Sequence, residues 1–584
     1  MSSQKSDSVH SEWSNQELAD VFERIANLLE IKGDVIYKIR AYQRAAESLR
    51  AEPRSAAALL AEGKLDEIPG VGKAISEKIE ELITTGKLEF LEQLEQEIPP
   101  SLLELLQVPD VGPKRAALLW KQAGITDLAG LEAAAREHRL SKLPGLGEKS
   151  EARILAGIEA LGRRTGRMSL DVAWAHAQRW MDWLRQQPEV QRVEPGGSLR
   201  RWRETIGDLD LIAASDHPEP LMERFIHHPD VQRVKGHGEN KSSVELRNGV
   251  HIQLWAQPPQ RFGTLWVYAT GSKAHNVRLR ELALKRQLSL SERGFEDASG
   301  RLMEYATEEE VYAVLDLPWI PPELREDHGE IEAALKGQLP ELIETRQIQA
   351  ELHSHTTWSD GALSVEGMAR AAIERGLRIL AITDHSGTLG ITGGLKAEQL
   401  PAQRAEIEQV QARLGKQIKL LHGIEVDIMA DGSLGFADEV LAGLDIVIAS
   451  LHSSLRQPRE TITARLVRAI RNPHVDLIAH PSGRLLPNRE GADLDWDTVL
   501  AEAKAHGVAL EINANPHRLD LTDLYARRAL ELGIPLAINT DAHSPGELDL
   551  ARYGAAVARR AWVGPEQVLN TWTVERLTRW LAQR

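Results

Sequence analysis

In the C-terminal part of the chain, His, Asp and Glu recur at one kind of place: the end of a short apolar run. His353 and His355, in ELHSHTTWSDG, are two apart and so share one face of an extended strand. Asp360 follows in the same stretch. His385 closes AITDH, Glu425 closes HGIE, His452 closes ASLH and His480 closes IAH. Asp541 and His543, in NTDAH, repeat the two-residue spacing. Imidazole and carboxylate donors suit Mn²⁺, Zn²⁺ or Fe. Nine donors are too many for one ion. They suit two or three, which together can clamp a phosphodiester and generate a hydroxide. Any one of these histidines alone is better read as an ordinary core or surface residue. Nine such donors near successive strand ends are not.

A second constellation lies upstream. In GGSLRRWRETIGDLDL, Gly197 and Ser198 precede Arg200 and Arg201, then Gly207, and Asp208 and Asp210 follow. Asp-x-Asp on one strand turns two carboxylates to one face, a site for two Mg²⁺ ions. Gly-Ser with nearby arginine can hold a triphosphate. A lone Asp-x-Asp would more often be a charged surface strand; the whole string at this spacing is specific.

A third signal is repetition. IPGVGKAISEKI, VPDVGPKRAALL and LPGLGEKSEARI share one pattern: an apolar residue, Pro, any residue, an apolar residue, Gly, then a helix. Gly70 and Gly72, Val108 and Gly112, and Gly145 and Gly147 mark the three turns. Glycine permits a tight hairpin, and the helix start leaves backbone N–H groups free for a phosphate oxygen. One copy would be a plain connector. Three point to sequence-independent binding of a DNA backbone.

These groups need elements to hold them. From Asn15 to about Leu161 the apolar spacing is helical. From about Met168 strands enter: Val190–Ser215 reads as strand, turn, strand, and Ser242–Gln257 as a hairpin turning at Asn248-Gly249. Gly271–Glu292 is basic and helical. From Gln349 short apolar strands alternate with helices, the pattern of a parallel β/α barrel or doubly wound sheet. Barrel enzymes place their chemistry at the carboxyl ends of strands. Pro- and Glu-rich residues around Pro318–Arg346 read as a linker.

Composition sets the frame. At 584 residues several domains are expected. With 42% apolar and 27% charged residues the chain is globular, and no apolar run approaches a membrane span. No signal peptide is evident, and the opening MSSQKSDSVHSE is polar. Without cysteine there are no disulfides, iron–sulfur clusters or thiolate zinc sites, which fits a cytoplasmic protein. The net charge of −16 does not exclude DNA binding, because an acidic metal domain can mask a basic groove.

The motifs also carry resemblances. Residues 349 to about 575 resemble the polymerase and histidinol phosphatase (PHP) family, whose nine metal-ligand positions are filled by His353, His355, Asp360, His385, Glu425, His452, His480, Asp541 and His543. That implies a distorted (β/α)7 barrel and a trinuclear site of Mn²⁺ or Zn²⁺, with Arg484 and His517 as substrate phosphate contacts. The Gly-Ser-x-Arg-Arg and Gly-Asp-x-Asp string resembles the nucleotidyltransferase palm of family X DNA polymerases, and YATGSKAHNVRLR, from Tyr268, resembles that family's nucleotide-selecting subdomain.

The resemblance implies a multidomain chain. It comprises a disordered tail (1–14), an all-α helix-hairpin-helix lyase-like domain (15–95), helix-hairpin-helix fingers (96–165), an α+β palm (166–262), a nucleotide-selecting subdomain (263–320), a linker (321–346) and the α/β PHP barrel (347–584). It implies Asp208 and Asp210 as catalytic ligands of Mg²⁺. Gly197, Ser198, Arg201, Gly207, Tyr268, Gly271 and Asn276 become nucleotide contacts, and Arg280 joins the hairpins as a DNA contact. Lys78, in AISEKIEEL, matches the family's Schiff-base lysine; Glu77 and Glu81 beside it favour an ordinary charged amine.

Three positions depart from the pattern. Gln253 stands where the family has its third catalytic Asp, Trp202 where it usually has Gly, and Ala269 where it usually has Phe. A neutral amide at 253 weakens the site for the catalytic metal, and Trp202 is expected to crowd the triphosphate. The expectation is therefore a bacterial, cytoplasmic, monomeric DNA-repair enzyme. Its barrel hydrolyses phosphodiesters at DNA 3′ ends, with abasic-site cleavage as an additional activity, and its polymerase is weak or lost. Its partners are gapped, primed or 3′-ended DNA and, in the palm, a dNTP. The alternatives are an active gap-filling polymerase with a proofreading barrel and a non-catalytic DNA-end-binding factor.

Overall fold

The computed structural model describes residues 13 and 15–583, apart from 53, 55, 107, 109, 110, 165, 166, 388–392, 487 and 488. The expected tail, Trp13 excepted, and Pro109 and Asp110 of the second hairpin lie outside the described residues. The chain divides into two compact units, Met1–Thr165 and Gly166–Arg584. Among the described residues no helix is long and apolar enough to cross a membrane.

The first unit is helical because its apolar residues keep a helical period. Asn15–Lys32 turns Leu18, Phe22, Ile25 and Leu29 inward, all fully buried. Ile36–Ala51 answers with Tyr42, whose ring stacks on Phe22 at 6.0 Å. The three repeated motifs form the same turn. Val71 N–H donates to Ile68 C=O at 3.0 Å, Val111 N–H to Val108 C=O at 3.0 Å, and Leu146 N–H to Leu143 C=O at 3.1 Å. Each turn feeds a helix: Lys73–Thr85, Pro113–Ala123 and Glu148–Arg164.

The second unit begins with a five-stranded mixed sheet. Leu209–Ala214 lies at its heart, antiparallel to Arg192–Pro195 and parallel to His251–Gln257; Lys241–Leu246 and Val231–Gly236 continue the sheet. The Asn248-Gly249 turn forms as expected, with Gly249 at φ +82. Residues 263–320 follow as helices and a small three-stranded sheet.

The expected linker is not one. Leu324, Ile331, Ala334 and Leu342 are buried in one core with Val267, Leu279 and Tyr312. Arg325 and Glu330 are fully buried. Ile343 N–H donates to Val563 C=O at 3.0 Å, and Arg559 reaches Glu323 at 2.7 Å. Its proline and glutamate content suggested an extended spacer; the apolar residues between them, at helical spacing, pack instead.

The remainder is a seven-stranded parallel sheet in strictly sequential order: Ala350–Glu351, Ile379–Ile382, Lys419–Asp427, Ile446–Ser450, Leu477–Ala479, Ala509–Asn513 and Leu536–Asn539. Its strands are apolar runs because helices cover their outer faces. A parallel bridge between Ser354 and Ala542 joins the first strand to the last, so the sheet curls into a nearly closed (β/α)7 barrel.

Candidate metal centre and palm pocket

The barrel gathers all nine expected ligands at the carboxyl ends of its strands. Glu425 is the hub. It lies 2.7 Å from His385 Nδ1, 3.1 Å from His480 Nε2, 3.2 Å from His452 Nε2 and 3.5 Å from His353 Nε2. Asp541 lies 3.1 Å from His355 Nε2 and 3.4 Å from His353 Nε2. Asp360 lies 3.3 Å from His543 and 3.6 Å from His385. Three overlapping groups of donors are close enough to hold an ion: His355, Asp360, His385 and His543; His353, His355 and Glu425; His385, Glu425 and His452. His480 and Asp541 adopt left-handed backbone at φ +28 and +56, strain of the kind that gathers at functional sites.

The electrostatics fit cations. Burial opposes the charge on Glu425 and Asp541, yet the surrounding histidines hold both well below the usual carboxylate range. Burial also opposes protonation of His452 and His543, but Glu425 and Asp427 push the first up to about 10, and Asp360 and Asp541 push the second up to about 9. Burial, with His543 and His385 beside it, drives His355 down to about 3, the neutral form a ligand needs. His353 Nε2, His355 Nδ1, Glu425 Oε2 and His480 Nδ1 are buried without a hydrogen-bond partner among the described residues. Divalent ions would supply the positive charge that these carboxylates call for. The donor set fits such ions.

Sequence reading missed the residues that aim the ligands. Glu511, fully buried, accepts from His353 Nδ1 at 2.8 Å and from the His480 backbone N–H at 2.7 Å. Asp427 bonds His452 Nδ1 at 2.8 Å. Each fixes the tautomer that turns Nε2 inward. Asp384 accepts from Thr356 N–H, Thr356 Oγ1, Ser359 Oγ and Gln403, pinning the loop that carries Asp360. An acid inside an apolar run, as in ALEIN and GIEVD, was the available signal.

The two expected phosphate contacts fare differently. His517 is exposed on its loop. Arg484 is committed elsewhere: it grips Glu204 of the preceding sheet domain at 2.7 and 3.1 Å and donates to the carbonyls of Arg518 and Leu519. A buried, paired guanidinium is not a substrate contact. Arg518, which sequence reading passed over, brings its Nε to 3.6 Å from Asp541.

In the upstream pocket Asp210 and Gln253 are register partners on adjacent parallel strands, which sets Gln253 beside the carboxylate pair. Its Nε2 donates to Asp208 at 2.6 Å. Burial, and then the Asp208 charge, push Asp210 up to about 7. Gly197, at φ +56, permits this close approach: a Cβ there would meet the Asp210 carboxylate at 2.2 Å. Ser198 sits on the four-residue helical turn Gly197–Arg200, and Gly207 ends the segment leading to Asp208.

Two expectations are corrected here. Arg201 is bound to Glu326 at 3.0 Å and to the Thr270 carbonyl, and is not left open to a triphosphate. Trp202, at φ +54, turns away from the pocket to pack on Trp174 and Tyr553, at ring distances of 5.0 and 6.1 Å. Its positive φ is a physical reason for glycine at that place. Arg200 is structural: with Arg325 it clamps buried Glu308 at 2.6–3.0 Å. Tyr268, Asn276 and Arg280 line one depression, and Asn276 donates to the Tyr268 carbonyl at 2.7 Å; Gly271, at φ +67, ends the helix before it.

In the first unit, Gly70 and Gly145 have φ +79 and +74, and Gly72 and Gly112 cap their helices with matching backbone angles. No atom of the described residues lies within 4 Å of where a Cβ would stand at Gly72, Gly112, Gly145 or Gly147, so these turns are open to a ligand. Lys78 is half-buried on the helix after the first hairpin, its Nζ 5.1 Å from the centre of the Phe90 ring.

These parts define a helix-hairpin-helix unit, a nucleotidyltransferase-type palm and thumb, and a PHP barrel. Residues 13–88 match the helix-hairpin-helix domain, 102–160 the SAM-like helix-hairpin-helix tandem, 265–326 the DNA polymerase beta thumb and 351–515 the PHP domain. The chain is 39% identical to the DNA polymerase/3′-5′ exonuclease PolX of Bacillus subtilis (strain 168), over 95% of this chain and 97% of that protein. The barrel alone is 33% identical to a probable phosphatase of Thermoanaerobacter sp. (strain X514), over 38% of this chain and 89% of the relative. The chain belongs to the bacterial family X DNA polymerases that carry a C-terminal PHP domain. Its helix-hairpin-helix and polymerase domains imply DNA binding.

Proposed function

We propose that the barrel hydrolyses phosphodiester bonds at DNA 3′ ends, and that the helix-hairpin-helix unit and palm hold the DNA. The observation that carries this reading is the buried cluster around Glu425, with four polar atoms that have no hydrogen-bond partner among the described residues, in a chain that also bears three open hairpins. His353, His355, Asp360, His385, Glu425, His452, His480, Asp541 and His543 would hold two or three Mn²⁺ or Zn²⁺ ions, which bind phosphate oxygens and make water a nucleophile at neutral pH. Glu511 and Asp427 orient the imidazoles, and Arg518 offers a guanidinium to the phosphate. The protein works as a monomer in the bacterial cytoplasm. Lys78 would carry any Schiff-base chemistry at abasic sites.

A second reading, gap-filling polymerisation, is favoured by the retained Asp208 and Asp210 pair and opposed by Gln253. One assay separates the two: a labelled primer-template incubated with and without dNTPs, in Mg²⁺ and in Mn²⁺. Shortening without extension supports the nuclease; extension at polymerase-like rates replaces it with the second reading.

A further inference from the structure

We propose that Glu204, a palm residue, is a positioning residue for hydrolysis in the barrel, acting through Arg484 on Arg518. The inference rests on the nuclease reading above. Glu204 takes both terminal nitrogens of Arg484 in a two-point ion pair, largely shielded from solvent. The same guanidinium donates from Nε to the Arg518 carbonyl at 2.7 Å and from Nη2 to the Leu519 carbonyl. Arg484 therefore joins the palm to the loop from Asn515 to Asp520.

That loop is held from the other side as well. Asp520 accepts from Ser482 N–H, Ser482 Oγ and Gly483 N–H, each at 2.9 Å. Arg518 is the first residue of this anchored stretch. Its Nε is 3.6 Å from Asp541, and among the described residues its side chain has no hydrogen-bond acceptor. It is the guanidinium left to meet a phosphate at the cluster. Without Glu204, Arg484 would be a nearly buried cation short of a carboxylate, and it would move to find another, taking the Arg518 backbone with it. Displacements of about 1 Å in a positioned group cost up to ~100-fold in rate. The related phosphatase matches the barrel over most of its own length. Here the palm adds a strut to that barrel.

The test is a double-mutant cycle on the full chain: wild type, Glu204→Ala, Arg518→Ala and the pair. It uses a single-stranded 3′-ended oligonucleotide with Mn²⁺, and metal content is read by mass spectrometry. Glu204→Ala should lower kcat about tenfold with bound metal nearly unchanged. Glu204→Gln, which can still accept from Arg484, should recover part of the loss. In the Arg518→Ala background, removing Glu204 should cost nothing more. An unchanged kcat in Glu204→Ala, multiplying losses in the pair, or metal lost together with activity would each overturn the proposal. A His355→Ala, Asp541→Ala control separates the two levels: if it cleaves at the wild-type rate, the nuclease assignment itself falls.

Discussion

Replacing Gln253 by Asp sets two effects against each other. In the folded chain Gln253 donates to Asp208 at 2.6 Å beside an Asp210 already pushed up to about 7. Gln253→Asp deletes that hydrogen bond to a charged group, a loss of about 1.5–3 kcal/mol. It also adds a third carboxylate. Two unit charges ~4 Å apart repel by about 4 kcal/mol at an effective dielectric of 20. A shared proton will relieve part of this, so a net cost of roughly 3–5 kcal/mol is expected at pH 8 without metal. Taking about 2 °C per kcal/mol for a large unit, the melting temperature should fall by about 6–10 °C in EDTA. Excess Mg²⁺ should restore most of the fall in the variant and shift the wild type far less, because binding stabilises only the folded form. In a chain also carrying His355→Ala and Asp541→Ala, Gln253→Asp should raise templated extension by about tenfold or more. If the variant melts like wild type in both EDTA and Mg²⁺, the carboxylate cluster does not exist as described. If the wild type already extends primers at ~1 s⁻¹, Gln253 is no barrier to catalysis.

Other outcomes follow from particular contacts. Asp210 has a folded pKa raised to about 7 from 3.8, so its burial costs nothing below pH 4 and progressively more up to pH 7. Asp210→Asn should therefore stabilise the metal-free chain at pH 8, by up to about 4 kcal/mol, and leave it unchanged at pH 4, as thermal melts will show. Glu308→Ala strands the Arg200 and Arg325 guanidinium groups and should cost about 3–5 kcal/mol, read from urea unfolding; a loss near zero contradicts the buried network. His355→Ala and Asp541→Ala should each abolish 3′-end shortening while DNA binding persists, and Mn²⁺ should revive chelated wild type better than Mg²⁺. Gly145→Ala, forced to φ +74, should strain its hairpin by about 1–2 kcal/mol and weaken DNA binding equally for unrelated sequences, with a steep salt dependence; a sequence-selective loss would refute backbone recognition.

What the sequence disclosed was local. The hairpin repeats, the Asn248-Gly249 turn and the ligands at strand ends are written in short windows, where spacing and side-chain type are enough. Glu511 and Asp427 escaped because their partners, His353 and His452, are distant in sequence or on another strand. Arg484 was misjudged for the same reason: a motif shows a guanidinium near a histidine, not that Glu204, from another domain, already holds it. Residues 321–346 looked like a spacer because composition is blind to what a segment packs against, and there the partners are the thumb core and Val563.

The packed 321–346 segment and the side chains around it carry a consequence for how such a chain can change over generations. Trp202 against Tyr553, Glu326 between Arg201 and Arg560, and Ile343 on Val563 make the palm and thumb a wall of the barrel. Removing that wall would bare apolar rings and unpaired buried charges together. Selection for a folded barrel is then enough to preserve the palm, whether or not it adds a single nucleotide. Substitutions confined to its pocket, as at Gln253, escape that constraint, while the residues facing the barrel do not. A domain can persist in this way as masonry.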